Sequence, residues 1–199
     1  MRISPEKREE KERVRLALVE AALRLAALHG FASLGLREVS RAASIAPTSF
    51  YRHFADMEEL GISLIEQRVT PLVAALCARA QGDEAALSVL DALLAHADEE
   101  PALLRFLLAE RVGAAPAFRK ALRTKLAPLV SALQRAGERD TAQVAAPDAD
   151  AAVVLVLEGC ARVLDDPAVR ERVRAQLGAP LRKLLMGEPR TEPSARRTR

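Results

Sequence analysis

The chain has 199 residues, 50% of them hydrophobic, and a formal net charge of +3; that suits one domain of moderate size or a small domain fused to a larger one, and so small a charge excludes bulk basicity as an argument for nucleic acid. Aromatics make up 3% and Trp is absent, so Leu, Ala and Val must build the core, and the scarcity of strand-forming residues points to an all-α protein. Cys77 and Cys160 lie far apart without a CxxC partner, which suggests a reduced, cytoplasmic protein. Arg or Glu interrupts each apolar run short of a membrane span, and the charged N-terminus is unlike a secretory signal.

The first helix is predicted from about Pro5 to Leu28, with Ser4 as its cap and Pro5 in its first turn. Val14, Leu18, Ala21, Leu25 and Leu28 fall at helical spacing and form one apolar stripe. Lys7, Arg8, Lys11 and Arg15 decorate its first half, interleaved with Glu6, Glu9, Glu10 and Glu12. That pattern suits a solvated face as well as a phosphate-facing one. His29-Gly30 ends the helix. A second helix covers about Leu36 to Ala43, with Leu36, Val39 and Ala43 inward and Arg37, Glu38 and Arg41 outward. After a break at Ser44-Ile45-Ala46, Pro47 opens a third helix. Its Phe50 and Phe54 share the inner face, while Thr48, Ser49, Arg52 and His53 project outward and Tyr51 sits at the margin.

Asp56 with Glu59 forms a capping-box pattern at the start of a long fourth helix, Met57 to about Ala80, with Pro71 as a candidate kink. Leu60, Leu64, Val69, Val73 and Leu76 are its inward residues. Further helices are predicted near Glu84–Asp98, Pro101–Arg111, Pro116–Ala136, Asp148–Leu164 and Pro167–Met186, separated by Gly and Pro signals. The tail from Gly187 lacks apolar periodicity and is expected to be disordered. The expected organisation is a three-helix head over residues 1–55, a helical body over 56–186 and the tail over 187–199.

A helix, a short turn and a second short helix make a DNA-reading motif whose second helix enters the major groove. Thr48 and Ser49 are short and near a helix start, Tyr51 and His53 can donate to phosphates, and Arg52 can reach a phosphate or a guanine. An ordinary helical hairpin with a solvated polar face has the same periodicity. No catalytic constellation competes: His29, His53 and His96 are scattered, and no Gly-rich phosphate loop, GxSxG or HExxH is present. The chain is expected to be no enzyme and to need no metal or cofactor.

The run HGFASLGLREVSRAASIAPTSFYRHFADMEEL resembles the N-terminal domain of the TetR family of bacterial regulators, through Gly30-Phe31, Arg37-Glu38-Val39 and Phe50-Tyr51-Arg52-His53-Phe54. LREVSRAASIAPTSFYRHF and LLRFLLAERVGAAPAFRKAL most resemble the FabR/DesT type, regulators of unsaturated fatty acid synthesis, and the likeness becomes diffuse after about Leu133. The chain departs from the family pattern at three places: Gly35 where Ser or Thr commonly caps the second helix, Ser44 where Gly is usual in the turn, and Met57 where Lys often begins helix four.

The resemblance implies a repressor that reads a palindromic operator in double-stranded DNA through Arg37, Thr48, Ser49, Tyr51, Arg52 and His53. It implies a homodimer through the last two helices, where AAVVLVLEGCARVL is apolar on more than one face, and a hydrophobic effector, with long-chain acyl-CoA or acyl carrier protein as candidates. Leu103, Leu104, Phe106, Leu107, Phe118, Leu122, Val154 and Leu157 are candidate pocket residues, each with plain core packing as its alternative. Arg105, Arg111 and Arg119 are candidate head-group cations, unless they pair with surface acids. Two other readings stay open: the same architecture controlling an efflux or catabolic gene, and a helical lipid-binding protein without DNA binding.

Overall fold

The computed structural model describes residues 5–138 and 148–186, and every regular element among them is helical. Helix α1 runs Pro5–His29. Gly30, at φ 76°, then takes a backbone conformation that costs other residues more and leads into a single 3-10 turn, Phe31–Ser33. Helix α2, Leu36–Ala42, starts at Gly35 with no side-chain cap. The Gly35 carbonyl accepts from the N–H groups of Glu38 and Val39 at 3.0 and 3.1 Å. Helix α3 is one turn, Pro47–Phe50, extended to Phe54 by turns in which Arg52, His53 and Phe54 donate to the carbonyls of Ser49, Phe50 and Phe50.

The long fourth helix divides into α4, Met57–Leu64, a π turn, Ile65–Val69, and α5, Thr70–Arg79. Asp56 caps it by accepting from the Glu59 N–H at 2.8 Å, and Glu59 reaches back to the Ala55 N–H at 2.6 Å. Pro71, the candidate kink, stands in the first turn of α5. It has no N–H to donate, and its ring crowds the carbonyl one turn back; the π turn before it loosens that part of the ladder. The body continues as α6 (Ala85–Glu99), α7 (Pro101–Val112), α8 (Pro116–Glu138), α9 (Ala149–Asp165), a 3-10 turn (Pro167–Val169) and α10 (Arg170–Met186). The expected cap Ser4 and the tail from Gly187 lie outside the described residues.

The core runs from head to body without a break. Leu18, Val39, Phe50 and Phe54 in the head and Leu60, Leu64, Leu90, Leu104, Leu122 and Val156 in the body are at most 1% exposed. At the seam, Phe31 meets Phe118 edge-on at 4.9 Å between ring centroids and Phe106 at 6.0 Å. Gly61 lets these rings approach α4: a Cβ there would lie 2.2 Å from Phe118 Cζ and 2.9 Å from Phe31 Cζ. Two ion pairs on Arg68 of the π turn, to Glu20 of α1 and Glu100 at the start of α7, close the same seam from outside.

Two sequence expectations are corrected, those on Leu28 and on membrane-span length, and the packing of α9 is added to them. Leu28 ends the apolar stripe of α1 but is 75% exposed, because Phe31 folds back and fills the core at that end of the helix. The apolarity of α9 is largely consumed within the chain, where it packs on α6, α7, α8 and α10 and buries Val153, Val156, Leu157, Cys160 and Val163. Met57–Arg79 is, by length and composition, apolar enough to cross a membrane. Its Leu60, Leu64, Ile65, Val69, Leu72, Val73 and Leu76 are buried in the fold instead, and Glu66 pairs with Lys125 at 2.5 Å.

Gly61→Ala should therefore force the two rings apart and cost about 1–3 kcal/mol, as overpacking of a tight core does. Thermal unfolding should show a melting temperature several degrees below wild type; an unchanged value would contradict the close ring contact.

Candidate nucleic-acid interface and body cavity

The reading segment is held from inside by two buried rings, Phe50 and Phe54, whose centroids lie 5.8 Å apart. Arg15 of α1 holds it from the side. Its guanidinium lies 4.4 Å from the Phe54 ring centroid and donates to the His53 carbonyl at 3.0 Å and to Ser63 Oγ of α4 at 2.9 Å. The charge pattern of the first helix gave Arg15 no such role. A cation over an aromatic face contributes about 0.5–2 kcal/mol, and here it also satisfies a carbonyl at the end of the reading segment.

This scaffold leaves Thr48, Tyr51 and Arg52 exposed and Ser49 and His53 part-buried. Tyr51 is 67% exposed, with its ring edge-on to Phe50. Ser49, Arg52 and His53 share a cleft with Lys7, Lys11 and Glu10 of α1 and with Ser44 and Ile45 of the turn. Arg37 is exposed on α2, away from the residues lining that cleft. The cleft therefore adds Lys7 and Lys11 to the residues predicted to meet DNA. The alternation of Lys and Glu along α1 hid them, because only the fold shows which charges face α3.

His53 has a pKa lowered from its ordinary 6.5, by burial first and then by the positive charges of Lys11, Arg15 and Arg52. Its Nδ1 is buried with no hydrogen-bond partner among the described residues. Ser44, in the turn, has φ 58°, the left-handed conformation that L residues with a Cβ adopt at a cost. Met57 stands in the first turn of α4, part-buried.

The body holds a cavity of about 470 Å³ between the end of α7, α8 and α9. Leu126, Val130, Val153, Val154 and Leu157 form apolar wall, and Arg111, Arg119 and Arg123 face it with one carboxylate, Asp150. Of the sequence candidates, Val154, Leu157, Arg111 and Arg119 line this space. Leu103, Leu104, Phe106, Leu107, Phe118 and Leu122 do not; they are at most 4% exposed and pack the core. Arg105 is also elsewhere. It donates to the Leu164 carbonyl at 2.6 Å and pairs with Asp165 at 3.6 Å, because six residues of helix turn it away from Arg111. Arg123, which directly follows Leu122 and lies one turn after Arg119, joins Arg111 and Arg119 in the lining and is not among the sequence candidates. Cys160 is buried and its thiol is pushed up to about 12, and burial also raises Cys77, so neither is an activated nucleophile.

Residues 18–63 match the family model of bacterial regulatory proteins, tetR family. Most of the chain is similar in fold to solved structures of low identity. FadR from Bacillus subtilis, in complex with stearoyl-CoA, has a TM-score of 0.70 at 14% identity, covering 87% of this chain and 99% of that one. NalD, the secondary repressor of the MexAB-OprM multidrug efflux pump in Pseudomonas aeruginosa, has 0.66 at 20%, covering 89% and 98%. A TetR family transcription regulator from Marinobacter aquaeolei has 0.65 at 19%, covering 83% and 94%. The family match is thus confined to the head, and the chain shares the all-helical fold of these structures.

Two measurements follow from this geometry. Ser44→Gly should raise stability by about 1 kcal/mol, because glycine removes the left-handed cost; equal or lower stability in denaturant titration would contradict the strain. His53 should also destabilise the fold in acid. Its folded pKa is depressed, so its contribution is full above the ordinary 6.5 and is lost as pH falls through the lower folded value. His53→Gln should flatten that part of the stability–pH curve, and a curve that keeps its slope would exclude His53 as the cause.

Proposed function

We propose that this chain, with its tetR-type head, is a ligand-responsive transcriptional regulator that binds double-stranded DNA. The observation that carries the reading is the outward face of the reading segment, where Thr48, Tyr51 and Arg52 are exposed on a turn fixed by Phe50, Phe54 and Arg15. In this reading Arg52 and Thr48 reach base edges, while Tyr51, Ser49, His53, Lys7 and Lys11 hold phosphates and Arg37 meets the flanking backbone. Two such heads on one operator require a homodimer. The reading places its interface on α9 and α10, as in the sequence expectation.

The effector is read as an anionic amphiphile. Among the described residues, Arg111 and Arg123 have no carboxylate partner, and they line the same cavity as the apolar wall of Leu126, Val130, Val153 and Leu157. Long-chain acyl-CoA and acyl carrier protein thioesters fit that description, and repression of fatty acid synthesis genes is the role proposed with them. The fold likeness to FadR with stearoyl-CoA supports this role. The fold likeness to NalD favours a second reading, a different hydrophobic effector controlling an efflux gene.

Gel retardation on duplexes from the chain's own upstream region and from neighbouring fatty acid genes tests the proposal. Wild type should retard at least one duplex, with palmitoyl-CoA changing its affinity. Tyr51→Ala and Arg52→Ala should each weaken binding about tenfold or more without lowering the melting temperature. Absence of retardation on all of them at low salt would refute DNA regulation.

A further inference from the structure

The last turn of α7 carries two neighbours that serve different parts of the molecule. Arg111 lines the arginine cavity, and its Nε is buried without a partner among the described residues. Glu110 is 6% exposed, and its Oε1 accepts the backbone N–H of Phe31 at 3.2 Å. Among the described residues it is the only charged residue buried to that degree. Burying a carboxylate against one neutral backbone donor is unfavourable for stability. Phe31 is where the chain leaves α1 for α2. Gly30 precedes it at positive φ, and the Phe31 carbonyl accepts from the Leu34 N–H at 3.1 Å. The Glu110 bond therefore pins the α1–α2 link of the head to the body.

The cavity is tied to the same turn. Arg119 donates from Nη1 to the Gly113 carbonyl at 2.6 Å and to the Ala114 carbonyl at 2.8 Å. Gly113 ends α7, and a Cβ there would lie 3.0 Å from Glu110 Oε2. A shift at Gly113 thus reaches the Glu110 carboxylate directly. An anion in the cavity competes for Arg119, because an ion pair with its guanidinium is stronger than that group's bonds to two neutral carbonyls.

We propose that Glu110 is a positioning residue for DNA binding: when an anion takes Arg119, the Gly113–Ala114 turn moves, Glu110 lets go of the Phe31 N–H, and the head leaves its DNA-reading position. This rests on the cavity being the effector site, as read above. The ligand must favour the released state over the pinned one, and its differential hold on Arg119 supplies that preference.

Residue-resolved amide hydrogen exchange at Phe31 tests the coupling without DNA or ligand. Arg119→Ala and Gly113→Ala should each speed Phe31 exchange about tenfold, and Glu110→Ala at least as much. Arg119→Ala should add nothing in the Glu110→Ala background. Glu110→Gln should restore slow exchange, because an amide oxygen accepts the same N–H. Additive effects, or Phe31 exchange unchanged by Arg119→Ala, would overturn the proposal, whereas a Glu110 that only supports the fold gives additivity. Should Glu110→Ala not fold, the Gly113→Ala and Arg119→Ala pair decides in the same way, through non-additivity against additivity. Palmitoyl-CoA should speed Phe31 exchange in wild type and not in Glu110→Ala. If it leaves wild type untouched while the cycle is non-additive, the effector class falls and the Glu110 coupling stands.

Discussion

The three-ring contact of Phe31, Phe106 and Phe118 is the constraint on which the rest of the molecule hangs. It joins the first element after α1 to two helices of the body, and it needs Gly61 so that α4 can pass beneath the rings. Because the contact is apolar and close-packed, head and body share one core and do not meet as two separate surfaces. Small displacements in the body cannot be absorbed at such a seam; they must be passed on or resisted as a unit. The ion pairs of Arg68 to Glu20 and Glu100 act at its solvent side, where their own contribution is modest and their geometric effect is to fix α1 against α7.

The reading segment is very short for its task. One turn of helix has little stability of its own, since nucleation is unfavourable and few hydrogen bonds follow it. It is therefore defined by what it packs on: two phenylalanines below, and Arg15 against its terminal carbonyl. This arrangement separates stability from recognition. The inner face determines where the segment sits, and the outer face is free to be chosen for what it touches.

The helix boundaries were legible because proline and glycine mark them. Pro47, Pro101 and Pro116 begin helices, Gly30 follows one, and the Asp56–Glu59 cap forms as its spacing suggests. The inward leucines of α4 and α5 followed from helical period alone. What the sequence could not resolve was direction and competition. Arg105 and Arg111 share a helix but face different neighbours, so nearness in sequence misassigned Arg105. Apolar residues on α7 and α8 are written identically whether they fill a core or line a cavity, and most of the candidates fill the core. Arg15 sits among ten other charged residues of the same helix, and only the packing of α3 and α4 around it distinguishes it. The conformation of Ser44 was foreshadowed by the missing glycine, because the turn there needs a residue at positive φ whichever side chain it bears.

The π turn at Ile65–Val69 also bears on how this chain can vary over time. A π turn accommodates one residue more than an α-helix of the same rise, so it amounts to a single-residue insertion carried inside an otherwise continuous rod. The buried stripes before and after it, Leu60–Leu64 and Leu72–Leu76, are each in α register but offset from one another by that extra residue. Removing one residue here would turn everything downstream by about a quarter turn or more relative to the head. Related chains that lack the insertion are then expected to differ less in which residues they bury than in how far their bodies are rotated on their heads.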